Sequence, residues 1–225
     1  QYGRKIQDFL ASRDASKVTV PKHEQIELSS LCEDLGVDIP DTTRQLKSLV
    51  DNFSGIKDAR LPKDLKADLR SYQKAGVNWL HFLKDAGLGA MLADDMGLGK
   101  TLQVLSLLLL HQKRHQGQGP SLLIMPASLL GNWKQEAKRF TPSLKLLFVH
   151  PSETDPQTLL ALKAEPSDQL KDVDLVITTY SMVLRQAWLA KVHWDLLILD
   201  EAQAIKNGTA KQTLSTKALK SNARI

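Results

Sequence analysis

From residue 61 onward the spacing of apolar residues alternates between two periods. Ser121-Leu122-Leu123-Ile124-Met125, residues 144–149, residues 174–180 and residues 194–199 are short runs with little polar interruption. That is the pattern of strands covered on both faces of a parallel sheet. Between them apolar residues fall at helical spacing. Val77, Trp79, Leu80 and Leu83 predict a helix that faces inward, and residues 102–110 a strongly apolar one stopped by Lys113-Arg114-His115 and the glycines 117 and 119. A further helix carries Lys134, Lys138 and Arg139, another Met182, Val183 and Leu184, and a basic one Lys211, Lys217 and Lys220. Residues 150–172 are polar and acidic and predict a helical excursion on the surface. Residues 90–93 read as a short strand, and Ala223-Arg224-Ile225 as the opening of another. The alternation predicts an α/β fold, a mostly parallel sheet with helices on both faces.

Residues 1–58 have a different pattern. Ile6, Phe9 and Leu10 recur at helical spacing. Pro21 opens a second segment with Ile26, Leu28, Leu31 and Leu35, ended by Gly36. Asp41 would cap a third helix with Leu46, Leu49, Val50 and Phe53. The chain begins with Gln, as an excised fragment would. We therefore expect residues 1–58 to be a helical tail of an upstream domain or a linker, outside the sheet, and residues 59–225 to be the α/β lobe.

At 225 residues and 42% hydrophobic content the chain can bury one core of ordinary size. No apolar run is long enough to span a bilayer, and no signal-peptide pattern opens the chain, so no membrane partner is expected. The single cysteine, Cys32, fits a reducing compartment. Net charge is +5 and uneven: residues 1–60 hold nine Lys/Arg against ten Asp/Glu, residues 61–225 twenty-one against fifteen. A basic lobe suits nucleic acid, although a solvated face accounts for the charge equally well.

Chemistry concentrates in Ala90-Met91-Leu92-Ala93-Asp94-Asp95-Met96-Gly97-Leu98-Gly99-Lys100-Thr101. Strand, glycine turn and helix start are the parts of a phosphate cradle, because the turn aims N–H groups at one point and the helix adds its positive end. Lys100 would reach the outer phosphates and the Thr101 hydroxyl a magnesium ion. Asp94 stands where the general G-x-x-x-x-G-K-[ST] pattern has its first glycine. Trp194-Asp195-Leu196-Leu197-Ile198-Leu199-Asp200-Glu201 is the second landmark, an apolar strand that delivers two carboxylates at its end, where a parallel sheet binds ligands. Asp200 can hold magnesium and its water, and Glu201 can polarise an attacking water. Gln73 can donate and accept together, which matches an adenine edge. Pro126-Ala127-Ser128 and Thr178-Thr179 put small or hydroxyl residues at strand ends, suited to a nucleic-acid backbone.

Taken in order, Leu69-Arg70-Ser71-Tyr72-Gln73, residues 94–101, 125–133, 177–180 and 200–207 resemble the first motor lobe of the Swi/Snf family of DNA translocases, within helicase superfamily two. The resemblance covers roughly residues 61–225 and leans toward bacterial-type members. It implies a RecA-like lobe that binds ATP and Mg2+ through Gln73, Asp95, Met96, Gly97, Leu98, Gly99, Lys100, Thr101 and Asp200. Glu201, Lys100 and Asp200 would be catalytic, with Thr101 and Asp200 on the metal. Pro126, Ala127, Ser128, Thr178 and Thr179 would touch one strand of double-stranded DNA. Asp94 is usual in that family at its position. Gln203 stands where many members carry His, a departure that bears on how hydrolysis is relayed to DNA movement.

The resemblance also implies a second RecA-like lobe, with arginine fingers, that would follow residue 225. Alone, then, the fragment should bind Mg-ATP and hydrolyse little. Location would be cytoplasmic, nucleoid-associated in a bacterium or nuclear in a eukaryote, and a transcription or repair complex is a possible protein partner. The alternative is a nucleotide-binding switch or scaffold without DNA motion. A small-molecule kinase fits less well, since Asp200-Glu201 suits water rather than a substrate hydroxyl.

Overall fold

The protein is described from a computed structural model that covers residues 55–95, 97–114 and 119–225. Its chain divides into two units, residues 1–56 and 57–225, of which the second is described. The helices expected within residues 1–54, Cys32 and Met96 lie outside the described residues.

Five strands pair side by side, all parallel, in the order β2-β3-β1-β4-β5. These are β1 (Ser121–Met125), β2 (Leu146–Val149), β3 (Leu175–Thr179), β4 (His193–Leu199) and β5 (Lys220–Arg224). Central β1 and β3 are buried at every residue, as their unbroken apolar runs require. Leu123 pairs with Ile177 on one side and Ile198 on the other. Alternation then divides the core. Leu123, Met125, Ile177 and Ile198 pack with Leu80, Leu105 and Trp133 on one face. Leu122, Ile124, Val176 and Leu197 pack with Met182, Trp188 and Trp194 on the other.

The helices are α1 (Ser71–Asp85), α2 (Lys100–Arg114), α3 (Leu130–Phe140), α4 (Pro156–Ala164), α5 (Pro166–Gln169), α6 (Tyr180–Arg185) and α7 (Lys211–Lys217). The polar stretch at 150–172 holds α4 and α5; Asp155 caps α4 by accepting from Thr158 N–H at 2.9 Å, with Pro156 at its first position.

Four expectations need correction. Residues 90–93 form no strand. Ala90 N–H donates to Arg224 C=O at 2.9 Å. In α1, Val77 and Leu80 are buried, but Trp79 is 43% exposed and Leu83 only half-buried. Position 79 lies about 200° around the helix from 77, and its ring stacks on Phe82 instead. β2 starts at Leu146 rather than 144 because Asp174 takes Lys145 N–H at 2.7 Å and closes the entry to the strand. Lys220 belongs to β5 rather than to the basic helix, since α7 ends at Lys217.

Below the sheet, His111 of α2 bonds Asp195 of β4 through Nε2 and Oδ2. Asn222 Nδ2 donates to the other Asp195 oxygen at 3.2 Å. The helix that starts in the glycine turn and the strand that ends in Asp200 are thereby tied at their far ends.

Candidate functional site

Because every strand is parallel, the turns after β1, β3 and β4 open at one edge of the sheet. The glycine loop lies at the same edge, beyond β5. Gly97 and Gly99 have φ of 81° and 79°, the left-handed region that glycine enters without cost. Lys100 begins α2, and its Nζ donates to the carbonyls of Asp94 at 2.7 Å and Asp95 at 3.0 Å, folded across the loop. Thr101 is half-buried in the first turn.

Helix α1 grips this loop. Tyr72 Oη and Gln73 Nε2 both donate to Leu98 C=O, at 3.2 and 3.0 Å. Gln73 Oε1 accepts from Arg70 N–H at 3.0 Å, and the side chain is buried. Asp94 has no left-handed φ and so needs no glycine there. Its Oδ2 accepts from Gln103 Nε2 at 2.8 Å. Gln103 is wholly buried, and a Cβ on Gly76 would meet its Oε1 at 1.9 Å, so Gly76 is what lets α1 and α2 close over it.

β4 stops at Leu199, and Asp200 and Glu201 stand in the turn beyond. Asp200 N–H donates to Ile124 C=O at 2.9 Å, and three further groups hold the residue. Trp133 Nε1 donates to its Oδ2 at 2.7 Å, Glu201 N–H to its Oδ1 at 3.0 Å, and Tyr180 Oη to its carbonyl at 2.9 Å. Burial pushes the Tyr180 phenol up, with Asp200 and Glu201 adding to the shift, so it stays a donor. Burial also raises Glu136, one turn past Trp133, and the Asp200 charge adds to that while Arg139 opposes it. Glu201 has φ 52° and ψ 51°, the one non-glycine left-handed residue among those described. Such a backbone costs about 1–3 kcal/mol and persists where the surroundings fix it, often at working sites. Gln203 donates its amide to the Glu201 carboxylate.

Pro126 precedes a turn of 3-10 helix, Ala127–Leu129, between β1 and α3, with Ala127 and Ser128 exposed. Thr178 and Thr179 lie differently. Thr178 is fully buried and its hydroxyl donates to Val149 C=O at 2.9 Å. Thr179 is 2% exposed and caps α6 by accepting from Met182 N–H. Neither hydroxyl faces outward, because each is bonded inside the fold. Ser181, exposed beside Thr179 and bonded to it at 3.0 Å, is the hydroxyl that remains at that turn.

Three residues of this edge escaped the sequence reading. Gln103 had a signal, a lone amide in an apolar helix. Trp133 is buried, and its one polar atom reaches Asp200. Tyr180 stood in the strand-end run without a role.

The residues fit a nucleotide and a divalent ion. The loop supplies two left-handed glycines, a lysine and a hydroxyl at a helix start. Among the described residues no group of three His, Cys, Asp or Glu could hold a metal. A Thr101–Asp200 pair would give one hydroxyl and one carboxylate, a donor set that suits Mg2+, which keeps most of its sites for water and phosphate.

A family model described as the SNF2-related domain matches residues 72–225. A putative ATP-dependent helicase/translocase of Bacillus subtilis, YwqA, is 36% identical over 185 residues, 80% of this chain and 19% of that protein. The chromatin-remodeling ATPase INO80 of Pyricularia oryzae is 40% identical over 167 residues, 72% of this chain and 9% of that protein. The chain thus spans a fifth or less of these curated relatives. Among solved structures, the Sulfolobus solfataricus SWI2/SNF2 ATPase core in complex with dsDNA is 38% identical with a TM-score of 0.65, covering 75% of this chain and 33% of that one. Identity of this order to a bacterial, a fungal and an archaeal protein does not favour bacterial-type members.

Proposed function

The chain belongs to the SNF2-related domain family, and on that premise we propose that residues 57–225 are the ATP-binding lobe of a motor that translocates on double-stranded DNA. One observation carries the reading. The glycine loop with Lys100-Thr101 and the turn with Asp200-Glu201 share one edge of a parallel sheet, with a strand-end turn, residues 126–128, beside them.

Each side chain has a defined part. Gln73 uses one N–H and one lone pair on the protein, which leaves one of each for the adenine edge. Lys100 exchanges the carbonyls of Asp94 and Asp95 for phosphoryl oxygens. Magnesium, when held by Thr101 and Asp200, supplies positive charge to the outer phosphates. Glu201 accepts a hydrogen bond from water and aligns it with the terminal phosphorus, taking the proton as the bond to the leaving oxygen breaks. Gln203 holds the Glu201 carboxylate from the side. Ala127, Ser128 and the α3 start present amides and a hydroxyl to a DNA phosphate, a contact without base information.

The rest of the motor lies in the sequence that this chain does not include. We place there a second RecA-like lobe whose arginines face the transferred phosphoryl group. Such a finger is worth about 10³–10⁵ in rate, so the chain alone binds Mg-ATP and turns over slowly. A role in a transcription, repair or chromatin complex fits the naming of relatives such as mot1 of Aspergillus fumigatus, a TATA-binding protein-associated factor. Calorimetric titration with Mg-ATP, with Lys100→Ala as control, tests the binding half. Duplex-stimulated phosphate release by the full-length protein tests the motor half. ATP binding with no DNA-stimulated release would instead mark a switch or scaffold.

A further inference from the structure

Asp200 is held from two directions, one from the turn assigned above to DNA, residues 126–128, and one from the turn after β3 that exposes Ser181. Trp133 lies in α3, five residues past Ser128, and is 3% exposed. Its indole N–H is a donor only, so it needs the acceptor that it has, Asp200 Oδ2 at 2.7 Å. Tyr180 follows Thr179 directly, is 4% exposed, and donates to the Asp200 carbonyl at 2.9 Å. The first bond sets the carboxylate rotamer; the second sets the backbone turn together with the Asp200 N–H, which donates to Ile124 C=O at 2.9 Å. Asp200 Oδ1 is taken by its neighbour Glu201 N–H, so Trp133 is the side-chain donor that aims the carboxylate.

Packing alone accounts for burial of two rings. It does not account for both rings aiming their single polar hydrogens at the same residue, on loops from two different strands. A hydrogen bond to a carboxylate is shorter and about twice as strong as a neutral one, and a buried bond of this kind responds to displacements of a fraction of an ångström.

We propose that Trp133 and Tyr180 are positioning residues that join the two candidate DNA-contacting turns to Asp200, so that a DNA backbone seated on those turns fixes the acid that serves the metal. The inference rests on the motor reading above. A strand pressed on residues 126–128 would shift the start of α3 and with it Trp133; contact near Ser181 would shift Tyr180. The two act on one residue, so their effects should not add.

The test has two arms. In the full-length protein, Tyr180→Phe keeps the ring and Trp133→Phe keeps a smaller aromatic one, and each removes the donor. The expected result is a KM for ATP and a duplex affinity within about twofold of wild type, with DNA-saturated kcat down about tenfold, the size of one hydrogen bond to a charged group. The double variant should be little worse than the poorer single one. In the second arm the 225-residue chain is labelled with 15N at its four indoles and titrated with a duplex oligonucleotide. The Trp133 indole resonance, assigned by its loss in Trp133→Phe or, if that variant does not fold, by its selective response to Asp200→Ala, should move on DNA addition. Wild-type kcat stimulated by DNA, with both variants stimulated equally, would overturn the inference and leave the motor reading standing. An indole resonance indifferent to bound duplex would do the same. Wild-type protein that DNA does not stimulate would overturn both.

Discussion

A Cβ on Gly99 would stand 2.5 Å from the side-chain nitrogen of Gln73. Gly97 has a similar left-handed φ, but a Cβ there meets nothing within 4 Å. The two alanine variants therefore separate strain from collision. Gly97→Ala should cost about 1–2 kcal/mol of stability, the price of a left-handed L-residue. Gly99→Ala adds displacement of Gln73 from Leu98 and Arg70. It should lower ATP affinity further than Gly97→Ala and weaken preference for ATP over GTP, as competitive titration with the two nucleotides would show.

Asp94 and Gln103 form a second pair that can be tested as a unit. Gln103 Oε1 already has no partner, and Nε2 has Asp94. Asp94→Gly restores the commoner loop residue yet strands a buried amide, and should destabilise the chain by about 1–3 kcal/mol. Gln103→Met on that background should recover part of the loss, since no unpaired amide remains. Urea unfolding of the two single variants and the double variant gives the coupling.

Acid stability should report the tie below the sheet. Burial pushes Asp195 up, but the hydrogen bond and charge of His111, with Asn222 and Lys84, outweigh it and hold the carboxyl below its ordinary value of 3.8. A lowered folded value stabilises the fold above the unfolded value, and that gain is lost as pH falls through the folded one. Asp195→Ala should cost about 1–3 kcal/mol at neutral pH, the cost of removing a buried hydrogen-bond partner. The gap to wild type should stay constant down to about pH 4 and narrow below it, measured by denaturant titration across that range.

The sheet and its chemistry were legible because they rest on local patterns. Unbroken apolar runs gave β1, β3 and β4, and glycine, lysine and carboxylates sit where strand ends place them. The boundary of β2 was not legible, because it depends on Asp174 reaching across to Lys145. Nor were Trp133 and Tyr180, whose hydrogen bonds to Asp200 join residues 67 and 20 apart in sequence. The inward bond of Thr178 was not legible either, since a hydroxyl at a strand end reads the same whether it faces a ligand or a neighbouring carbonyl.

Duplex binding by this chain should be weak and electrostatic. A few phosphate contacts give a dissociation constant on the order of 10⁻⁴ to 10⁻⁶ M, with about 0.9 of salt slope per contact. Ser128→Ala should weaken binding equally for duplexes of unrelated sequence. Fluorescence anisotropy at several salt concentrations checks both points; nanomolar, salt-insensitive or sequence-selective binding would speak against a phosphate contact.

Lys100 and Glu201 should fail in different ways. Lys100→Ala removes a contact made to bound nucleotide and should raise the dissociation constant for ATP. Glu201→Gln keeps the shape and should leave binding near wild type while turnover falls, because an amide polarises water poorly. Calorimetry beside phosphate release on the same preparations separates the two.

The central claim is that this lobe carries one half of a DNA-stimulated ATP-hydrolysing site. The most direct measurement is phosphate release with and without duplex DNA, made on the full-length protein and on the 225-residue chain together. Strong stimulation of the full-length protein is expected and, for the chain alone, Mg-ATP binding with turnover lower by about 10³–10⁵, or about 4–7 kcal/mol of barrier. DNA-stimulated turnover by the chain alone on the order of one per second, or a full-length protein indifferent to DNA, would contradict it.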